Sequence, residues 1–352
     1  MKKFFAAILT FILIFTFYGV TAVTAANLVP IKKTSGSGYV TYRGTQTQVM
    51  IPTAYTKTST DFRGVWVSPL VNDIGYFHDA ALYKAELLAV LDIIEKYNMN
   101  AIVFHIRILN DALYDSDLNI QSHFIPGADF EEWDYLEWFI GEAHRRGIEF
   151  HAWLNPYRID NRITTLSSVL SKFSDYPQNP ASKAENVLIG ESGAILNPGE
   201  PEVRNFVVDT CMEIIERYDV DAIHFDDYFY AKMPANADLA TYNKYKGSSS
   251  TNNISDWRRE QIDLFIKQLS DTMRDYNRNN NRTVQLGISP TGIYQNGNGV
   301  VTYDENGTAI TSGSNTNGQT HFSSYLFCDT KKWVDNEWID YITPQSYWSF
   351  EL

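Results

Sequence analysis

Residues 221–230 read DAIHFDDYFY. Ile223 and Phe225 alternate there with His224, Asp226 and Tyr228. A period of two is the signature of a β-strand whose faces meet different surroundings. Outward from this stretch, short apolar runs recur at Arg63–Pro69, Ala101–Arg107, Glu149–Asn155, Gln285–Pro290 and Tyr341–Trp348. Helical patterns separate them over Ala81–Tyr97, Trp133–Arg146, Pro201–Tyr218 and Ser255–Tyr276, with a short one at Thr330–Asn336. Pro201 stands where the first helical position is expected. Strand–helix alternation of this kind predicts βαβ units and a parallel sheet. A doubly wound sheet and a (β/α)8 barrel are the two ways to build one. No GxGxxG follows the first strand, and long, aromatic-rich loops follow several strands on their C-terminal side. A TIM-type barrel, with its mouth on that side, is therefore expected. Six strands are counted where a complete barrel has eight. The expectation is thus a barrel truncated after the sixth strand, open on one side, with the first and sixth strands at its edges.

The start of the chain speaks to compartment. Lys2 and Lys3 precede an apolar run, Phe4–Val20, and small residues around Ala25 and Ala26. That order predicts a signal peptide over residues 1–26 and a secreted or envelope-associated bacterial protein. An uncleaved anchor is the alternative, and no other stretch is apolar enough to span a bilayer. Residues 27–61 are polar and rich in Thr, Ser and Gly, and read as a linker or irregular extension. Residues 62–352 are expected to hold the barrel. A formal net charge of −13 argues against nucleic acid as a partner, because phosphate binding needs clustered cations. The wealth of Trp, Tyr and Phe suits a glycan, since sugar rings stack on aromatic faces. Cys211 and Cys328 form no CxxC pair, so zinc and redox motifs lack support. Cys211 is expected to pack as a small hydrophobe, and pairing of the two is left open. No cofactor or metal is expected; His105, His151 and His224 stand on separate strands without an HxxE or HxH helper.

Alternation assigns His105 and Arg107 to one side of the second strand and His151, Trp153 and Asn155 to one side of the third. It assigns His224, Asp226 and Tyr228 to one side of the fourth, and Thr343, Gln345 and Tyr347 to one side of the sixth. Each set lies toward the C-terminal end of its strand, so four strands should aim polar or aromatic groups at one mouth. Burying such groups unpaired costs about 1–3 kcal/mol each, which a purely structural strand avoids.

The motifs FRGVWVSP, DALYDSD, HAWLNPYR, DAIHFDDYFY and PQSYW, in this order from Phe62 to Trp348, resemble the glycosyl-hydrolase-like 10 family. The resemblance implies an exported bacterial glycosidase on a (β/α)8 barrel. Some members of the family act on peptidoglycan strands stripped of their peptides. It also implies Asp226 and Asp227 as catalytic residues. The expected substrate-binding set is His105, Arg107, Asn110, Asp111, Tyr114, Trp153, Asn155, Tyr157, Arg158, His224, Tyr228, Tyr294, Gln345, Tyr347 and Trp348.

Glycosidases generally use two carboxyl groups, and two arrangements are open. Asp226 is the nucleophile, with the acid from another loop, for which Asp111 is the nearest substitute. Or Asp226 orients a substrate 2-acetamido group that attacks the anomeric carbon while Asp227 acts as general acid. The second is favoured, because no inward carboxylate ends the fifth or sixth strand. The expected activity is hydrolysis of N-acetylated, cell-wall-type glycan. The alternatives are a neutral-sugar hydrolase of α-glucan type and a non-catalytic glycan-binding barrel. Oligomeric state is not legible in the sequence.

Overall fold

The computed structural model describes residues 27–350 apart from 43, 55–60, 250, 252 and 304–308. The expected signal peptide, residues 1–26, lies outside the described residues. The chain divides into two compact units. One comprises residues up to 61 together with 348 onward, and the other comprises 62–347.

In the first unit, the segment read as a linker or irregular extension forms an antiparallel ladder. Leu28–Pro30 pairs with Met50–Pro52, and Val40 and Val49 exchange backbone bonds with Ile31 and with each other. The Gly residues of SGSG, which suggested irregularity, occupy a turn: Gly36 and Gly38 have φ of 79° and 121°, a region that glycine enters without steric cost. The β-branched residues flanking that turn were the strand signal.

The second unit is the α/β body. Its strands are β1 (Gly64–Val67), β2 (Ala101–Arg107), β3 (Glu149–Leu154), β4 (Ala222–Phe225), β5 (Gln285–Ile288) and β6 (Tyr341–Ile342). All pair in parallel and in chain order, β1 to β6. The intervening helices are α1 (Ala80–Lys96), α2 (Tyr135–Arg145), α3 (Pro201–Arg217), α4 (Ile254–Asn280) and α5 (Thr330–Asp335). Asp79 accepts from Leu82 N, Asp134 from Leu136 N and Glu137 N, and Asn253 from Asp256 N. These side chains satisfy first-turn N–H groups that have no partner inside the helix. Each helix lays its apolar face on the sheet, as Leu87, Leu91 and Ile94 of α1 do.

The sheet is strongly curled. Flat, its first and sixth strands would stand roughly 24 Å apart at the usual inter-strand spacing. Yet Phe62, just before β1, meets the Tyr341 ring of β6 at 5.5 Å between centroids. Trp66 of β1 likewise donates to His224 of β4 across the interior. This is the TIM-type architecture, with six strands and, among the described residues, β1 and β6 as its two edges. Gly287 permits the curl, because a Cβ there would stand 1.9 Å from the Tyr341 ring.

Two features were not anticipated. After β3 the chain builds a three-stranded antiparallel sheet of Arg158–Asp160, Gly193–Leu196 and Val187–Gly190. A further helix, Leu239–Tyr245, follows β4. Cys211, within α3, and Cys328 are both buried and free, so the pairing left open above is not made.

Candidate active site

The C-terminal ends of β1, β3, β4, β5 and β6 surround a cavity of about 410 Å³. Trp66 and Trp153 line it beside Asp226, Asp227, Tyr228, Ser289, Thr343, Pro344, Gln345, Ser346 and Tyr347. Among the described residues, Asp226 and Asp227 are the only acidic ones of that lining. A second cavity of about 140 Å³ adjoins it, with Asp227 and Tyr228 common to both. Arg158, Asp160 and Lys232 line this second space together with residues 192–195 of the antiparallel sheet.

Strand β4 delivers the carboxyl pair. Its apolar side chains Ile223 and Phe225 are fully buried toward the helices, which sends His224 and Asp226 inward. Asp226 is 4 % exposed and accepts from Tyr228 N at 3.0 Å. Burial, and then the neighbouring Asp227 carboxyl, push Asp226 well above the usual carboxylate range. Burial also raises Asp227, while Gln345 and the Arg158 charge pull it the other way. The Trp153 N–H lies close enough to favour ionised Asp226 but makes no hydrogen bond of normal length. Two adjacent carboxyl groups in a poorly solvated cleft hold protons more tightly than free ones and titrate as a pair.

Beneath the cavity runs a chain of hydrogen bonds through the barrel interior. Trp66 Nε1 donates to His224 Nε2 at 3.3 Å, and Ser289 Oγ lies 2.8 Å from the same nitrogen. His224 Nδ1 is 2.9 Å from Tyr341 Oη, which is 2.6 Å from His151 Nδ1. His151 Nε2 then meets Glu149 at 3.2 Å. Burial lowers the His224 pKa to about 3, so its ring is neutral at ordinary pH.

Of the expected site residues, Asp226, Asp227, Trp153, Tyr228, Gln345 and Tyr347 share the large cavity, and Arg158 lines the adjoining one. The other expected residues line neither cavity. Alternation placed Arg107 beside His105, but β2 carries an irregularity: His105 pairs with Trp153 and Arg107 already with Leu154. One extra residue flips the following side chains to the other face. Arg107 is consequently buried on the helix side, where it donates to Asn119, Asn110 and the carbonyl oxygens of Asn155 and Pro156. Asn155 donates to Ile108 O and is likewise buried. His105 is stacked on Trp153 at 3.7 Å and bonded to Ser68, so it supports the cavity wall from behind. His224 belongs to the interior chain just described.

Asp111 accepts from Leu109 N and Ser122 Oγ. Although burial opposes it, contacts with His123, Ser122 and Leu109 hold its carboxyl below the usual range, and it lines neither cavity. Asn110 is buried with a φ of 54°. Tyr114 is buried against Glu213, and Tyr157 packs on Phe265 of α4. Tyr294 donates to Asp329 away from the cavity. Trp348 falls in the other compact unit. Sequence reasoning overlooked Trp66, Ser289, Pro344 and Ser346. Trp66 was accessible to it, since in GVWVS it alternates with Val65 and Val67 on the first strand.

The family model for glycosyl hydrolase-like 10 matches residues 61–351. The glycosyl hydrolase YngK of Bacillus subtilis is 34% identical over 84% of this chain, which spans 56% of that protein's length. The glycosyl hydrolase DigH of Escherichia coli K12 is 30% identical over 85% of this chain and 68% of its own. Among solved structures, alpha-L-fucosidase isoenzyme 2 from Paenibacillus thiaminolyticus gives a TM-score of 0.44 at 14% identity, covering 67% of this chain and 33% of that one. A cavity at the barrel mouth lined by two adjacent aspartates thus accompanies a family match across the whole α/β body, and the chain belongs to the glycosyl hydrolase-like 10 family.

Proposed function

We propose that this chain is a glycoside hydrolase acting on N-acetylated, cell-wall-type glycan by substrate assistance, with Asp227 as general acid and Asp226 orienting the 2-acetamido group. The observation that carries this reading is the carboxyl pair. Among the described residues, Asp226 and Asp227 are the only acids lining the 410 Å³ cavity, and burial raises the pKa of both. A general acid must hold its proton near neutral pH, and a raised pKa is a shift in that direction. Trp66 and Trp153 supply aromatic faces for a sugar ring, and Gln345 and Ser289 supply polar groups beside them.

In the reaction, the acetamido N–H donates to Asp226. That bond favours the ionised form of Asp226 and leaves the proton of the pair on Asp227. The acetamido carbonyl oxygen attacks the anomeric carbon while Asp227 protonates the departing glycosidic oxygen. Asp227, now a carboxylate, takes a proton from the water that opens the oxazolinium intermediate. Substrate assistance of this kind is a recognised exception to the two-carboxylate rule.

Purified protein incubated with peptide-free peptidoglycan strands, chitin oligomers and starch, with mass analysis of the products, tests the proposal. Cleavage of the N-acetylated substrates and inhibition by a thiazoline sugar are expected. Cleavage of starch alone, or a fluorosugar adduct trapped on Asp226, would establish the nucleophile arrangement instead. Binding without any cleavage would leave a glycan-binding barrel. Export is proposed too, on the tripartite pattern of residues 1–26; fractionation of the producing cell, with N-terminal sequencing of the mature protein, checks it.

A further inference from the structure

The smaller cavity is lined by two cations and two acids, and two of the four are paired away from it. Lys232 Nζ pairs with Glu191 at 2.8 Å. Asp160 pairs with Lys172 at 3.2 Å and accepts from Arg162 N and Ile163 N. Asp227 is the shared wall with the larger cavity. That leaves Arg158. Its guanidinium lies 3.5 Å from the centroid of the Tyr228 ring, reaches the Tyr228 hydroxyl and acts by its charge on Asp226 and Asp227, yet among the described residues no carboxylate stands within ion-pair distance of it. A guanidinium stacked by its face keeps the N–H groups of its edge free, and that planar fork matches a carboxylate. Arg158 starts a strand that is hydrogen-bonded into the antiparallel sheet, so its backbone is held. At the turn of that sheet, Gly193 passes so close that a Cβ would lie 2.2 Å from Asp160 O, which fixes the cavity's far wall against Arg158.

We infer that the smaller cavity is a subsite for an acidic sugar, whose carboxylate Arg158 binds. Asp227 divides the two spaces, so the acidic residue sits directly across the scissile bond from the sugar held between Trp66 and Trp153. This inference rests on the glycosidase reading for its place in the reaction, but the recognition itself needs no catalysis. Ionic strength should weaken it, because Arg158 is only partly buried.

The test uses short peptide-free peptidoglycan strands with their carboxyl groups free, and the same strands methyl-esterified. Affinity is measured by calorimetry, and cleavage by product release, for wild type, Arg158→Met and Arg158→Lys. Wild type should bind the free acid roughly 10–100-fold more tightly than the ester, the usual range for a hydrogen bond to a charged group. In R158M that ratio should fall to near one, and in R158K it should recover in part. A wild type that does not discriminate, or an R158M that still does, overturns the inference. So does an R158M whose pH–rate profile shifts equally on both strands with an unchanged acid-to-ester ratio, for Arg158 would then serve only the carboxyl pair. Discrimination in binding without cleavage of either strand would defeat the glycosidase reading and leave the subsite standing.

Discussion

Replacing Asp226 by Asn should make the protein more stable and much less active. The carboxyl is 4 % exposed, beside a second acid, and has one hydrogen bond, from Tyr228 N. Asn keeps that acceptor and the side-chain volume but removes the charge. The direction with pH follows from linkage. In the unfolded chain an Asp loses its proton near pH 4. In the folded chain burial and Asp227 keep the proton on to a higher pH. Below the unfolded value both states are protonated and Asp226 costs nothing. As pH climbs toward the folded value, the unfolded chain alone releases a proton, and stability falls by up to about 1.4 kcal/mol per pH unit. For a domain of this size that amounts to roughly 2–3 °C of Tm per unit. The Asn variant lacks this slope, so its advantage should be small near pH 4 and widen toward neutrality. Calorimetric melting of both proteins from pH 4 to 8 reads the gap directly. Activity should drop at least about 10²-fold, as when a positioned group that stabilises the transition state is removed. A variant less stable than wild type throughout, or a gap that does not change with pH, would refute the claim that Asp226 is a strained, proton-holding carboxyl.

Asp227→Asn should lose about 10²–10⁴-fold on natural glycans, the usual worth of general acid catalysis. Aryl glycosides, whose leaving groups need little protonation, should recover most of that loss; equal losses on both would remove Asp227 from the acid's role. His105 and His224, each lowered to about 3 by burial, should show neutral-ring NMR shifts down to pH 5. Their contribution to stability is present above the unfolded pKa of about 6.5 and is lost as pH falls toward 3; ring titration near 6.5 would contradict it. Gly287→Ala sets a methyl group against the Tyr341 ring and should cost about 1–3 kcal/mol. Urea unfolding would show it, and an unchanged midpoint would mean the ring is free to move.

The six-strand order, the helices and the mouth were legible because strand alternation and helix capping are local. The sequence of β4 alone, with Ile223 and Phe225 against His224 and Asp226, sufficed to aim the carboxyl pair. Arg107 was misplaced because an irregularity in β2 depends on pairing with β3, which alternation cannot register. Asn110, Asp111 and Tyr114 fall outside the cavity linings for a different reason: a polar residue after a strand looks the same whether it faces a ligand or ties down a loop, and here Asp111 bonds Ser122 and Tyr114 bonds Glu213. The antiparallel sheet around residues 158–196 went unseen because its strands are three or four residues long, too short to display a period.

The hydrogen-bond chain beneath the site has a polarity. An indole N–H can only give a proton, so Trp66 obliges His224 Nε2 to accept. The neutral ring must then carry its hydrogen on Nδ1 and point it at Tyr341. Tyr341 in turn points its hydroxyl hydrogen at His151, and His151 points its own at Glu149. One donor thereby orders every hydrogen along a line from the mouth of the barrel to its opposite end. Because Trp66 also lines the cavity, a ligand that drew its N–H away would leave Ser289 Oγ, 2.8 Å from the same nitrogen, to decide which ring nitrogen of His224 carries the hydrogen.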